Sequence, residues 1–162
     1  MAGLCQDCDA CCRVFEVKTT LQDKIPLNKP FGIPCQHLGH TVLGHGCTIY
    51  KDRPDACNHY VCLWLEAARS VSRNAPENMR PDISGCVLGW PWGVDRETLH
   101  VYPIPGHPKY PDAWKFPPVS DYLQDLLRRG GKLMIFVEGK RIAIRGDMAV
   151  IGTEEEFERL TG

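Results

Sequence analysis

Residues 5–13 read Cys-Gln-Asp-Cys-Asp-Ala-Cys-Cys-Arg, so four cysteines fall within eight positions. A Cys-x-x-Cys step lets two sulfurs converge on one metal ion, and the third cysteine repeats that step. The adjacent pair Cys11 and Cys12 differs, because neighbouring side chains point ~100° apart on a helix and to opposite faces of a strand. The pair therefore favours either two separate metal positions or one cluster with several metal atoms.

Four more cysteines follow at wider intervals, and the cysteine-rich stretch ends at residue 62. Such clusters are either disulfide frameworks or metal sites. The chain shows no secretory-signal pattern and no apolar run of ~18 residues, so we expect a cytoplasmic protein without a membrane partner. Cytoplasmic thiols are kept reduced, and a total of nine cysteines leaves one over in any fully paired disulfide scheme. Both points favour metal binding.

Length and charge limit the remaining possibilities. The chain has 162 residues, of which 43% are hydrophobic and 24% charged, which suits one compact core. A net charge of -1 provides no overall attraction to nucleic acid, so binding to nucleic acid is not expected. We expect a single domain over residues 1–162, with a cysteine-cluster subregion at 1–72 and an α+β subregion at 86–162. The polar, turn-rich residues 73–85 form the boundary.

Short elements are predicted around the cysteines. A β-like run and a Pro-rich loop occupy residues 14–34, and a short strand is predicted at 47–50. Pro54 is placed to open a helix, and helical apolar spacing continues from Tyr60 to Ser72.

Two cysteines fall in this helical region. Residues five apart lie ~140° apart on a helix, so Cys57 and Cys62 cannot share one face. We expect Cys57 at the helix entrance and Cys62 on the inner face.

The C-terminal part shows strand and helix signals in alternation. The predicted elements are strands at 85–90, 98–104, 133–137 and 140–145, a helix at 121–129 capped by Ser120 and ended by Gly130, and a last helix whose capping box is Thr153 and Glu156. Cys86 is expected to be an ordinary core residue. Together these patterns predict an α+β fold, in which a small metal-nucleated, cysteine-rich N-terminal part with short helices packs on a C-terminal antiparallel sheet with one or two helices.

The cysteine spacing resembles a known family. The residues that carry the resemblance are Cys5-x-x-Cys8-x-x-Cys11-Cys12, Pro34-Cys35, Cys47-Thr48-Ile49-Tyr50-x-x-Arg53-Pro54-x-x-Cys57, and Cys62. This pattern resembles the YkgJ-type cysteine cluster family, which is described as a zinc- or iron-chelating domain. One departure is that Asn58-His59 follow Cys57 where an arginine is common in the family.

The resemblance implies metal chelation. The implied metal ligands are Cys5, Cys8, Cys11, Cys12, Cys35, Cys47, Cys57 and Cys62, and the implied cofactor is zinc or iron, including an iron-sulfur cluster. A related cysteine motif occurs in flagellin lysine-N-methylases, where it looks like the holder of an iron-sulfur centre. We see no motif to transfer in residues 86–162.

Two functions follow as expectations. The first is a cysteine-cluster metal-binding protein that chelates zinc or iron in a structural or accessory role. The alternative is an iron-sulfur enzyme or enzyme subunit in a methylation-like modification or a redox reaction. Arg53 either donates to thiolate sulfurs or a backbone carbonyl, or pairs with Asp52 or Asp55. No Ser/His/Asp arrangement, phosphate-binding glycine loop or nicotinamide fingerprint is present in the sequence.

Overall fold

The computed structural model describes residues 8–41, 44–70, 74–91 and 96–153. The protein has an α+β fold. The helices are α1 (Ala10–Val14), α2 (Asp55–His59), α3 (Leu63–Arg69), α4 (Pro81–Ser84) and α5 (Val119–Arg128). The strands are β1 (Val17–Lys18), β2 (Asn28–Lys29), β3 (Leu38–Thr41), β4 (Gly44–Cys47), β5 (Cys86–Gly89), β6 (Thr98–Pro103), β7 (Lys132–Val137), β8 (Lys140–Arg145) and β9 (Met148–Thr153).

A five-stranded sheet dominates the C-terminal part, and its strands lie in the order β5-β6-β7-β8-β9. Three of the four strand pairs are antiparallel, as predicted. The β6–β7 pair is parallel, which the sequence analysis did not anticipate. Parallel neighbours need a crossover connection, and α5 lies within the segment that joins these two strands.

The core lies between this sheet and α5. Strand β6 alternates buried and half-buried residues, and it buries Leu99 and Val101 completely. Leu133 and Ile135 of β7 lie in the same cluster, together with Leu123 of α5. Cys86 belongs to this cluster as well, with 1% of its surface exposed, which confirms that it is a core residue.

The hairpin between β7 and β8 forms where it was predicted. Its two turn residues, Glu138 and Gly139, have φ values of 51° and 72°. Two successive positive φ values are typical of the tight turn whose twist matches the flanking strands.

Helix α5 begins earlier than predicted. It starts at Val119 after Pro118, and the structure shows no side-chain hydrogen bond capping its start. Ser120 therefore lies inside the first turn, and its predicted role as the cap is wrong. The predicted end is confirmed, since Gly130 follows the helix with φ +84°.

The chain after the hairpin contains a strand that the sequence analysis missed. Residues Met148–Thr153 form β9, which pairs antiparallel with β8. Thr153, predicted to cap a last helix, is the final residue of this strand. The rest of that predicted helix, including Glu156, lies outside the described residues.

The N-terminal part consists of short elements. Strands β1 and β2 form one two-stranded sheet, and β3 and β4 form another. Strand β4 ends at Cys47 and residues 48–50 form a turn, so the strand predicted at 47–50 is wrong.

The helix predicted from Tyr60 to Ser72 is interrupted near its start. Tyr60 and Cys62 have extended backbone, with ψ values of 128° and 159°, and they separate α2 from α3. Cys57 lies within α2 and Cys62 is the N-cap of α3, where its sulfur accepts a hydrogen bond from the Leu65 N–H. The predicted placement of both cysteines on one helix is therefore wrong.

Helices α1 and α3 both contact β5, so the cysteine-rich part packs on the edge of the large sheet. In the part of the chain that the structure describes, no helix has the length and apolar character needed to cross a membrane.

Candidate metal centre

One cavity, of about 370 Å³, brings the predicted metal ligands together. The cysteines that line it are Cys8, Cys11, Cys12, Cys35, Cys47, Cys57 and Cys62. These are all the predicted ligands within the described residues, since Cys5 lies outside them. Ligation by these eight cysteines stays a prediction.

Helix α1 places Cys11 and Cys12 at the cavity. Its buried residues Ala10 and Val14 pack against Val87 and Ile104 of the C-terminal part. At ~100° per residue, Cys12 lies on the side of α1 opposite that contact, and Cys11 lies between the two. A hydrogen bond with the Cys11 thiol lowers the pKa of Cys12, so Cys12 is the member of this pair that ionises first.

Backbone hydrogen bonds hold Cys35 and Cys47 beside α1. The Cys35 N–H donates to the Cys12 carbonyl at 2.9 Å, and the Leu38 N–H donates to the Cys35 carbonyl at 3.0 Å. Leu38 lies opposite Cys47 in the β3–β4 pair. These hydrogen bonds and the β3–β4 pairing thus link Cys12, Cys35 and Cys47.

The two remaining cysteines come from the interrupted helical region. Helix α2, which carries Cys57, is held to the loop between β1 and β2, because the Asp55 N–H donates to a carboxylate oxygen of Asp23 at 2.8 Å. Cys62 packs with Cys8 against the cluster that contains Val87. The break between α2 and α3 allows both cysteines to reach the cavity.

Two cationic side chains lie close to the thiols. Lys29 is 5% exposed, and its ammonium donates to the carbonyls of Phe15 and Pro30. Burial lowers the pKa of Lys29, and attraction to Cys35 and Cys12 partly offsets that effect. Lys29 was not among the predicted site residues, because nothing in a Pro-rich loop indicates that a lysine turns inward.

Arg53 is the second cation. Its guanidinium lies 4.0 Å from the centre of the Tyr50 ring, and its Nε–H donates to the side-chain oxygen of Asn58. Its charge acts to lower the pKa values of Cys12 and Cys57, although burial outweighs it at Cys57. The contacts of Arg53 that the structure shows are with Tyr50 and Asn58, so both roles considered for it stay predictions.

Asp52, one of the two carboxylates considered as partners of Arg53, instead pairs with Lys24 at 3.1 Å. His59 is exposed at the end of α2.

Aromatic rings form the wall of the cavity near β5. The ring centre of Phe15 lies 4.3 Å from that of Tyr60 and 4.8 Å from that of Tyr102. The Tyr60 hydroxyl is buried without a hydrogen-bond partner. Burial raises the pKa of Tyr60, so this hydroxyl stays protonated, and it lies beside Gly89 of β5.

The donor chemistry fits zinc or iron, because thiolates are the soft ligands of zinc sites and iron-sulfur clusters. In the described residues, no group of three or more His, Cys, Asp or Glu side chains is arranged so that it could hold a metal ion. The thiols share one cavity but do not converge on a point. Metal binding would therefore have to draw them together.

Metal affinity should rise with pH. Burial raises the pKa of Cys8 to about 12 and that of Cys57 to about 11, so both thiols carry a proton at neutral pH. A metal ion must displace each of these protons, which makes binding stronger as the proton concentration falls. For these two thiols we expect an affinity gain of about 100-fold per pH unit near neutrality, measured by competition with a chelator.

The control for this pH dependence is Cys86→Ala, which removes a core thiol that does not line the cavity. Its slope should match that of the wild-type protein. A wild-type affinity that is independent of pH would contradict thiol ligation.

Replacing Lys29 should weaken metal binding. In Lys29→Met the thiolates lose a buried positive charge, and we expect zinc affinity to fall by about tenfold, or ~1.4 kcal/mol. The matched control is Lys24→Met, because the Lys24 side chain is 79% exposed and pairs with Asp52. Equal zinc affinities in the two variants, measured by competition titration, would show that the charge of Lys29 does not act on the thiols.

The cysteine-lined cavity is the main observation in this structure that bears on function. Comparison with protein-family models, with curated proteins and with solved structures gave no match.

Proposed function

We propose that the protein binds zinc or iron through cysteine thiolates in this cavity, and that the metal has a structural or accessory role. The observation that carries the proposal is that seven cysteines, drawn from four separate segments of the chain, line a single cavity. The resemblance of residues 5–62 to the YkgJ-type cysteine cluster family supports the same function.

One further feature supports metal binding over disulfide bonding. The eight cysteines within the described residues are free thiols. Free thiols suit a protein of the cytoplasm, which is where we place it. The proposed partner is a metal ion, and the net charge of -1 counts against nucleic acid as a further partner.

The environment of the cavity suits a structural role. A four-thiolate site is closed and leaves no position for a reactive water. Lys29 and Arg53 supply positive charge beside the thiols, which a thiolate-metal centre needs because its net charge is negative.

An iron-sulfur centre in an enzyme or enzyme subunit is the second candidate, and the size of the cavity favours it. A volume of about 370 Å³ far exceeds the ~10–15 Å³ needed to hold one water molecule, so the space exceeds what one ion requires. Such a centre would serve a redox or a methylation-like modification reaction.

The test is elemental analysis and absorption spectroscopy on protein purified without oxygen. We expect stoichiometric zinc or iron in the wild-type protein and in Cys86→Ala, and less metal in Cys12→Ser. Iron with acid-labile sulfide would select the second candidate. If the wild-type protein retains no metal and takes up neither zinc nor iron on reconstitution, the proposed function is wrong.

A further inference from the structure

The two edges of the large sheet differ in how far they are covered. Strand β5 forms one edge, where all four of its residues are buried and the helices α1, α3 and α4 contact it. Strand β9 forms the other edge, and within the described residues it is paired on one side only, with β8. Val150 is 48% exposed and Ile151 is 67% exposed there. Strand β9 is therefore an open edge, whose outward backbone groups can pair with another strand.

The sequence of β9 lacks the features that usually protect such an edge. Proteins block open edges with lysines, prolines or β-bulges. Residues 148–153 read Met-Ala-Val-Ile-Gly-Thr and contain neither a charged residue nor a proline. Their register with β8 runs from Arg145↔Met148 to Lys140↔Thr153 without a bulge. The strand itself is thus suited to further pairing.

The turn before β9 determines which of its backbone groups face outward. Two residues separate Arg145 from Met148, and the pair that closes a two-residue turn is hydrogen-bonded. Hydrogen-bonded and non-hydrogen-bonded pairs then alternate along an antiparallel ladder. The N–H and C=O groups of Ala149, Ile151 and Thr153 therefore face outward, whereas those of Val150 face β8. The two-residue turn between β7 and β8 leads to the same alternation along β8.

The outward groups of β9 are complementary to those of a second β9. We propose that β9 pairs antiparallel with β9 of a second copy of this chain, which joins the two five-stranded sheets into one. When Ile151 lies opposite Ile151 of the other copy, Ala149 lies opposite Thr153, and every outward residue has a partner. The pair has twofold symmetry, in which one patch contacts itself. This inference goes beyond the proposed metal site and does not depend on it.

Charge, length and side-chain size favour a second copy as the occupant. Since β9 carries no charged residue, no like charges meet when the strand pairs with itself. Two strands of equal length leave no unpaired overhang. Val150 lies opposite Gly152 of the other copy, which leaves room for its side chain, and the two Ile151 side chains bury apolar surface against each other.

The pairing should be reversible and dependent on protein concentration. One pair of six-residue strands is a small interface, and small interfaces are typical of weak complexes. The dimer should therefore form at high protein concentration and dissociate on dilution. In dilute solution the free energy of unfolding is then that of the monomer.

The experiment measures the self-association of the full chain, as purified, by sedimentation over a range of concentrations. We expect the wild-type mass to rise toward twice that of one chain. Ile151→Pro removes an outward N–H, which an edge strand tolerates, and deletes the two central hydrogen bonds of the dimer. We expect its dissociation constant to be about 30-fold higher. The matched control Ile151→Ala keeps this N–H and should retain the dimer.

Two results would overturn the proposal. One is a wild-type protein that stays monomeric at every concentration. The other is equal self-association of Ile151→Pro and Ile151→Ala, because the dimer would then not use the N–H of residue 151.

A measurement on the wild-type protein guards against a variant that fails to fold. Amide hydrogen exchange is followed by NMR in dilute and in concentrated samples. The N–H groups of Ala149 and Ile151 should exchange more slowly in the concentrated sample, whereas that of Val150, which faces β8, should be protected in both. A dimer in which Ala149 and Ile151 exchange at unchanged rates would use another surface, and the proposal would be wrong.

Discussion

Removal of the metal by a strong chelator is expected to make residues 8–70 sensitive to proteases, while the five-stranded sheet at 86–153 stays protected. Of the sixteen buried hydrophobic residues in the described part of the chain, only five lie within residues 8–70. Helices of five to seven residues and two-stranded sheets are marginal on their own. A structural zinc site contributes ~10–16 kcal/mol in apparent binding energy, which exceeds what these elements can supply.

The measurement is limited proteolysis with mass spectrometry, on the same protein sample before chelation, after it, and after zinc is restored. Protection of residues 8–70 should disappear and then return. Equal protection throughout would show that the N-terminal part folds without metal, and the prediction would be wrong. Protection lost over the whole chain would contradict the independence of the sheet.

Leu99→Ala is expected to lower the free energy of unfolding by about 2–5 kcal/mol. Leu99 is fully buried on β6, and its side chain lies in the cluster formed with β7 and α5. Shortening it removes apolar contacts and leaves a cavity that a sheet with a helix on one face can close only in part. The loss is a large fraction of a typical domain's stability of ~5–15 kcal/mol.

The control is Ile151→Ala on β9, where the side chain is 67% exposed and a change below about 0.5 kcal/mol is expected. Urea denaturation of the metal-loaded proteins measures both values. Similar losses in the two variants would place the stability of this part of the chain somewhere other than the β6–β7 core.

The C-terminal elements could be predicted from local patterns. Strand β6 alternates apolar and polar residues, α5 has an apolar face that ends at Gly130, and Glu138-Gly139 is a strong turn signal. The parallel β6–β7 pair could not be read from either strand alone, because pairing direction depends on the path of the segment between them. Strand β9 was missed because residues 148–153 show no regular alternation.

The N-terminal elements were harder to predict for a physical reason. Tertiary contacts and caps rather than long periodic segments set their ends, as where Cys62 caps α3 and interrupts the predicted helix. Spacing could not indicate which distant cysteines lie near Cys12, because that depends on the hydrogen bonds of β3 and β4 around Cys35.

The order of strands in the large sheet has a consequence for folding kinetics. Strands β5 to β9 lie side by side in the order in which they occur in the chain, so every pairing is between sequence neighbours. The β7–β8 and β8–β9 pairs are local hairpins, whereas the parallel β6–β7 pair joins residues distant in the chain, such as Thr98 and Lys132. Local contacts form fast and long-range parallel pairing is slow. We therefore expect β7, β8 and β9 to form first, and the cysteine-bearing segments to dock onto β5 last, in a step whose rate depends on metal concentration.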